Sequence, residues 1–306
     1  MNKRILFMGT PDYATAIFKE LISKKYEMVG LFTQPDKPVG RKQILTPPHI
    51  KQFCLDKNLN IPIFQPLKLR NNQEAKKEIE DLKPDFIIVA AYGQILPKEI
   101  LDIAPCINLH ASLLPKYRGA SPIQESLLND DIYTGVTSML MEEGLDSGDI
   151  LAFQYLKITD TMEVSEAFEK LSLIAAKLTV TTLENFENIK PLKQNELEVS
   201  FCKKIKKEDG LVDFNNAKKL YLKYKAYSYW PGIFLESELK LKDIELIEEN
   251  SQNNMGEILN IEKDFIVISC KKGTIKVKTL QAPSKKAINS SDYIKGQRLV
   301  LTDIIK

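Results

Sequence analysis

The run Ile5-Leu6-Phe7-Met8-Gly9-Thr10-Pro11-Asp12 decides how this chain folds. Four consecutive apolar residues without alternation read as a strand buried on both faces, closed by Gly9-Thr10-Pro11. Asp12 stands where a helix N-cap is expected, ahead of an apolar stripe formed by Ala16, Ile17, Leu21 and Ile22. Outward from this unit the pattern repeats. Residues 28–32, 61–64 and 86–91 read as further buried strands, and 71–82 has helical composition ending before Pro84. Strands separated by helices build βαβ units, so the fold class expected is α/β with a parallel, doubly wound, Rossmann-like sheet. Gly9 stands alone where a dinucleotide site needs Gly-x-Gly-x-x-Gly, so nicotinamide and flavin cofactors are not supported.

Further along, the texture changes. Residues 135–141 and 150–158 alternate in the manner of a hairpin and flank the glycine-framed turn Gly144-Leu145-Asp146-Ser147-Gly148-Asp149. Asp160 with Glu163 offers a capping-type start to a helix reaching about residue 188. The polar stretch 191–205 has no sustained period and reads as a linker. Beyond it, 216–227 is an expected helix stopped by Trp230-Pro231-Gly232, and short strands are expected over 233–235, 239–247, 265–270 and 274–280. Closely spaced short strands suggest a small β-barrel. The expected division is therefore 1–190, a linker over 191–205, and a smaller domain over 206–306.

Composition narrows the class further. A 43% apolar, 27% charged chain of 306 residues is globular and long enough for about two cores. A net charge of +2 does not by itself argue for nucleic acid, but from residue 205 onward 18 Lys/Arg face 14 Asp/Glu. Cys54, Cys106, Cys202 and Cys270 form no Cys-x-x-Cys pair, and with His49 and His110 they give no metal-ligand spacing. Buried free thiols, no metal and a cytoplasmic location are expected. The apolar start is too short for a signal peptide, and no stretch has the apolar length of a membrane span.

The chemistry lies in Asn108-Leu109-His110-Ala111-Ser112-Leu113-Leu114-Pro115-Lys116-Tyr117-Arg118-Gly119. Residues two apart on a strand point the same way, so Asn108 and His110 look into one pocket, as acyl-type chemistry requires. Asp146 waits in the glycine-framed turn downstream.

The 108–119 run, with the 144–149 turn behind it, resembles the signature of the formyltransferases that use 10-formyltetrahydrofolate. Phe7-Met8-Gly9-Thr10-Pro11-Asp12, Phe32-Thr33-Gln34-Pro35-Asp36-Lys37-Pro38-Val39-Gly40-Arg41 and Ala226-Tyr227-Ser228-Tyr229-Trp230-Pro231-Gly232 are similar to the branch acting on methionyl-tRNA(fMet). The resemblance runs in register over nearly the whole chain. It implies a tetrahydrofolate co-substrate, an OB-like C-terminal barrel that binds tRNA, a monomer, and Asn108, His110 and Asp146 as catalytic residues. It also implies folate contacts from Ser112, Leu113, Leu114 and Pro115. Formyl transfer to an amine passes through a tetrahedral oxyanion. Asn108 can donate to that oxygen, a contribution of about 3 kcal/mol. His110 is the side-chain type that handles protons near neutrality, and Asp146 would orient the ring. The loop over 34–49 carries four prolines and the bases Lys37, Arg41 and Lys42. By resemblance it meets the tRNA acceptor end, with Arg41 as its key arginine.

Each assignment has a plainer competitor. Taken alone, a strand-end histidine is structural more often than catalytic, and Asp146 would be a solvated turn residue. Asp149 reads as a turn or cap, His49 as an exposed loop residue, Trp230 as packed core and Arg118 as a surface ion pair. Rival functions keep the chemistry with an amino sugar nucleotide, a glycinamide ribonucleotide or water as acceptor. A further rival drops catalysis for RNA binding on a degenerate scaffold.

Overall fold

Strand β1 (Arg4–Gly9) buries Ile5 to Met8 completely, as an apolar run without polar alternation must. The computed structural model describes residues 3–40 and 42–305. Helix α1 (Asp12–Ser23) begins on Asp12 itself rather than after it: Pro11 is the N-cap and the Asp12 carboxylate accepts the Tyr13 N–H. Its inward face is Tyr13, Ala14, Ile17, Phe18 and Leu21, so the expected Ala16 and Ile22 sit only half-buried at its edges. The two aromatic rings take the inward face because they remove the most apolar area from water.

β2 (Glu27–Phe32) follows, then an exposed hairpin, β3 (Lys37–Val39) and β4 (Ile44–Thr46), within the expected loop. α2 (His49–Asp56) was not expected, and His49 opens it, sharing a 2.8 Å hydrogen bond between Nδ1 and the buried Thr15 hydroxyl. β5 (Ile63–Phe64), α3 (Gln73–Leu82) and β6 (Phe86–Ala90) come next. Asn72 caps α3 by accepting the Ala75 N–H, and Lys83 ends it in the left-handed region. Then follow α4 (Lys98–Leu101), β7 (Cys106–His110), β8 (Arg118–Gly119), α5 (Pro122–Leu128), β9 (Tyr133–Leu140), β10 (Ile150–Lys157) and α6 (Val164–Asn185). Glu163 does not close a capping box at α6; its carboxylate accepts the Tyr224 hydroxyl at 2.8 Å.

Seven strands form one sheet in the order β10-β9-β7-β6-β1-β2-β5. The five from β7 to β5 are parallel, and β9 and β10 add an antiparallel edge. The chain winds from β1 outward to β2 and β5, then returns to the other side of β1 with β6. In such sheets the crevice for ligands opens beyond the carboxyl ends of the strands at this reversal. Thr10 and Gln34, following β1 and β2, both donate to the Tyr92 carbonyl beyond β6, tying those strand ends together.

The 191–205 segment carries more pairing than its composition suggests. Leu192 bridges Ile150, and β11 (Phe201–Cys202) lies parallel to β8. Two compact units result: one runs to Pro122 and adds Tyr133–Lys157 and Phe168–Cys202, the other holds Ile123–Ile132, Ile158–Ala167 and Lys203–Lys306.

In the second unit, α7 (Ala217–Tyr227) is capped by Asn216. Strands β12 (Ile233–Phe234), β13 (Lys240–Gln252), β14 (Ile258–Ile261), β15 (Ile266–Ser269), β16 (Lys272–Gln281) and β17 (Ile288–Asn289) precede α8 (Ser290–Gln297). They form an antiparallel, barrel-like sheet in the order β12-β13-β16-β15-β14, with β17 on β16. Trp230 is not core: it is 49% exposed and Tyr229 is 87% exposed. The bend after α7 is packed by the buried Pro231 and closed by the Gly232 N–H on the Tyr227 carbonyl, so the rings before it project outward. No helix is long and apolar enough to cross a membrane among the described residues.

Candidate active site

β7 delivers two side chains to the carboxyl end of the sheet. Asn108 pairs in register with Val89 and Met139, and His110, its last residue, with Thr137. Leu109 between them turns to the opposite face and is buried, its carbonyl accepting the Tyr13 hydroxyl at 3.2 Å. Burial pushes that phenol well above its usual range, so it remains a donor.

Asp146 reaches the same place from the turn between β9 and β10. Its Oδ1 accepts a long bond from Asn108 Nδ2 at 3.4 Å, and its Oδ2 lies 3.7 Å from His110 Nδ1. The Gly119 N–H donates to Oδ2 at 2.8 Å and fixes the carboxylate from the far side. The amide, the imidazole and the carboxylate expected to act together therefore do converge.

The other ring nitrogen, Nε2, sits 2.9 Å from the Tyr117 carbonyl oxygen. A carbonyl only accepts, so Nε2 carries a hydrogen, and Nδ1 is the ring nitrogen that faces Asp146. Asn108 has a second N–H beyond the one directed at Asp146, which suits an oxyanion donor. Asn108 and His110 are 8% and 6% exposed, a dry setting in which such dipoles act strongly.

Of the four expected folate residues, Ser112 is fully buried and its hydroxyl donates to the Lys116 carbonyl at 2.6 Å, which shapes the turn. Leu114 is buried too, its N–H on the Thr137 hydroxyl, and precedes a cis peptide to Pro115. Leu113 and Pro115 keep surface beside the site. Lys37 and Lys42 are exposed on the β3–β4 hairpin, while Arg41 lies outside the described residues.

Sequence spacing missed several groups. Arg118 is not at the surface: it is 4% exposed, donating through Nε and Nη2 to Gln194 Oε1 and through Nη2 to Glu196. Gln194, Gly119 and the Tyr117 carbonyl touch the site residues through contacts that no local pattern encodes. Among the described residues no group of three or more His, Cys, Asp or Glu could hold a metal ion.

Comparison with known proteins identifies the family. Residues 3–183 match the formyl transferase family, and 204–298 match the formyl transferase C-terminal domain. The chain belongs to the formyl transferase family. A methionyl-tRNA formyltransferase of Nitratiruptor sp. is 56% identical over 300 residues, covering 98% of this chain and 99% of that protein. One from Campylobacter lari is 58% identical over 301 residues, with the same coverage of both. Among solved structures, HypX from Aquifex aeolicus in complex with tetrahydrofolic acid matches with a TM-score of 0.66 at 18% identity, over 100% of this chain and 49% of that one. An N-formyltransferase from Helicobacter canadensis, solved with folinic acid and dTDP-3-aminofucose, matches with a TM-score of 0.68 at 15% identity, over 92% and 100%. At such identity the two structures show that the fold is shared, and no more.

Proposed function

We propose that this protein transfers the formyl group of 10-formyltetrahydrofolate to the amino group of methionyl-tRNA(fMet), giving the formylated initiator for translation. The observation that carries this is 53–58% identity to methionyl-tRNA formyltransferases over both domains. Convergence of Asn108, His110 and Asp146 on one point supports it.

The chemistry follows from the residues. The methionyl amine attacks the formyl carbon directly, so no protein nucleophile is needed. The free N–H of Asn108 stabilises the oxygen as it gains charge. His110 Nδ1 takes the proton that the amine releases and passes one to the departing folate nitrogen, leaving the enzyme as it began. Asp146 keeps the ring oriented and stabilises its charged form between those transfers. Leu113 and Pro115 offer an apolar wall for the pterin, backed by the buried Leu114, with Ser112 holding their turn.

On the tRNA side the β3–β4 hairpin suits an acceptor end. It exposes Val39, Ile44 and Leu45 at 56%, 61% and 66% beside Lys37 and Lys42, combining apolar surface for bases with charge for phosphates. Arg41 belongs to the same reading. Residues 1–190 would carry the chemistry and 206–306 further tRNA contact, in a cytoplasmic monomer that uses no metal. Charged initiator tRNA, charged elongator tRNA and an amino sugar nucleotide, offered together with labelled formyl donor, test the acceptor. Label should enter the initiator first; preference for the sugar nucleotide would refute this reading.

A further inference from the structure

Gln194, from the stretch whose composition suggests a linker, makes four hydrogen bonds at one point. Its Nε2 donates to the backbone carbonyls of Asp146 and Gly148, both at 2.8 Å. Its Oε1 accepts from Arg118 Nε at 3.0 Å and Nη2 at 2.9 Å. A guanidinium has no acceptor and a carbonyl no donor, so the amide has one tolerable orientation; flipped, every contact would repel. Arg118, 4% exposed, is thus the group that sets which way Gln194 faces.

What Gln194 holds is a turn that needs holding. Asp146 has φ +49, a left-handed backbone unfavourable for a residue with a side chain. Its carboxylate engages Asn108 at 3.4 Å and His110 at 3.7 Å, both at the outer limit of useful range. A small shift of the turn would uncouple both.

We propose that Gln194 is a positioning residue for formyl transfer: oriented by Arg118, its amide clamps the Asp146 turn so that the carboxylate stays within reach of His110 and Asn108. This rests on the reading of those three as the reacting groups. Gln194 touches neither substrate in this account and acts only through Asp146.

Gln194→Glu is the informative variant. It keeps an acceptor for buried Arg118, and so the local fold, but sets carboxylate oxygens against two carbonyls. Gln194→Met, uncharged and of similar length, serves as the second. With 10-formyltetrahydrofolate and methionyl-tRNA, kcat should fall about 10- to 100-fold in both, the scale for a displacement near 1 Å. KM for each substrate should stay within about threefold in both, and thermal unfolding of the Glu variant, which keeps the acceptor for Arg118, should stay close to wild type, a split that a structural role would not give. Activity near wild type in either folded variant, KM rising in step with the loss, or unfolding of both variants overturns the inference alone. Wild-type protein inactive on methionyl-tRNA overturns the functional reading, and this inference with it.

Discussion

Gly119→Ala should damage stability and turnover together, and the geometry says by how much. A Cβ placed on Gly119 would lie 2.2 Å from the Cys202 carbonyl oxygen, where about 3.0 Å is the practical limit, and the neighbour is backbone in the β8–β11 pair. The residue also holds φ +128, a conformation that side chains reject at about 1–3 kcal/mol. Relief of the contact requires the strands to part by close to 1 Å, which stretches the charge-assisted bond from the Gly119 N–H to Asp146, worth about 1.5–3 kcal/mol. The sum is about 2.5–6 kcal/mol, a large share of the ~5–15 kcal/mol by which a typical protein is stable. Urea unfolding gives the first quantity, and single-turnover formyl transfer, on protein shown to be folded, gives the second. Because Asp146 loses its anchor, the chemical step should slow by about 100-fold even where folding survives. A variant with an unfolding midpoint and a single-turnover rate both near wild type would refute the geometric argument for the whole β8–β11 wall.

Three further outcomes are expected. His110→Ala should lower kcat by about 100- to 10,000-fold with little change in tRNA affinity, measured by filter binding; unchanged turnover removes it from the mechanism. Lys37→Ala with Lys42→Ala should weaken tRNA use and flatten its dependence on salt while leaving tetrahydrofolate binding alone, and a loss confined to folate means the hairpin has been misread. Burial pushes the Cys54 thiol up to about 11 and those of Cys106 and Cys270 up to about 12. These thiols therefore stay protonated at pH 8, and their labelling by iodoacetamide should be slow, rising only as pH climbs toward those values, whereas denatured protein labels readily at pH 8. Fast labelling of Cys106 in native protein at pH 8 would contradict its burial.

How much of this was legible in the chain itself depends on the reach of each contact. The strands near residues 5, 28 and 86 announced themselves because a strand covered on both faces must be apolar throughout, which is a local property. Asn108 and His110 were legible for the same reason: the two-residue period of a strand fixes their common direction. Arg118 does form an ion pair, with the exposed Glu196, but its guanidinium is buried rather than at the surface. The partner that buries it, Gln194, is 76 residues away, and no window of sequence contains both. Trp230 was misread in the opposite sense. Its size argues for burial, but the bend at Pro231 and Gly232 packs without it. The short helix α2 and strand β14 lacked enough periodic turns or alternations to stand out, and their existence depends on packing supplied from elsewhere.

The pairing of residues 192–202 with β8 and β10 also limits how the molecule can be cut. A fragment ending at Lys190, the border composition would suggest, discards the backbone that lines β8, the side chain that steadies the Asp146 turn, and the Ser200 hydroxyl that accepts the Tyr117 N–H behind the imidazole. Any attempt to isolate the transferase half should therefore retain Cys202 at its end, because the stretch that leads away from the first half is also part of its enclosure.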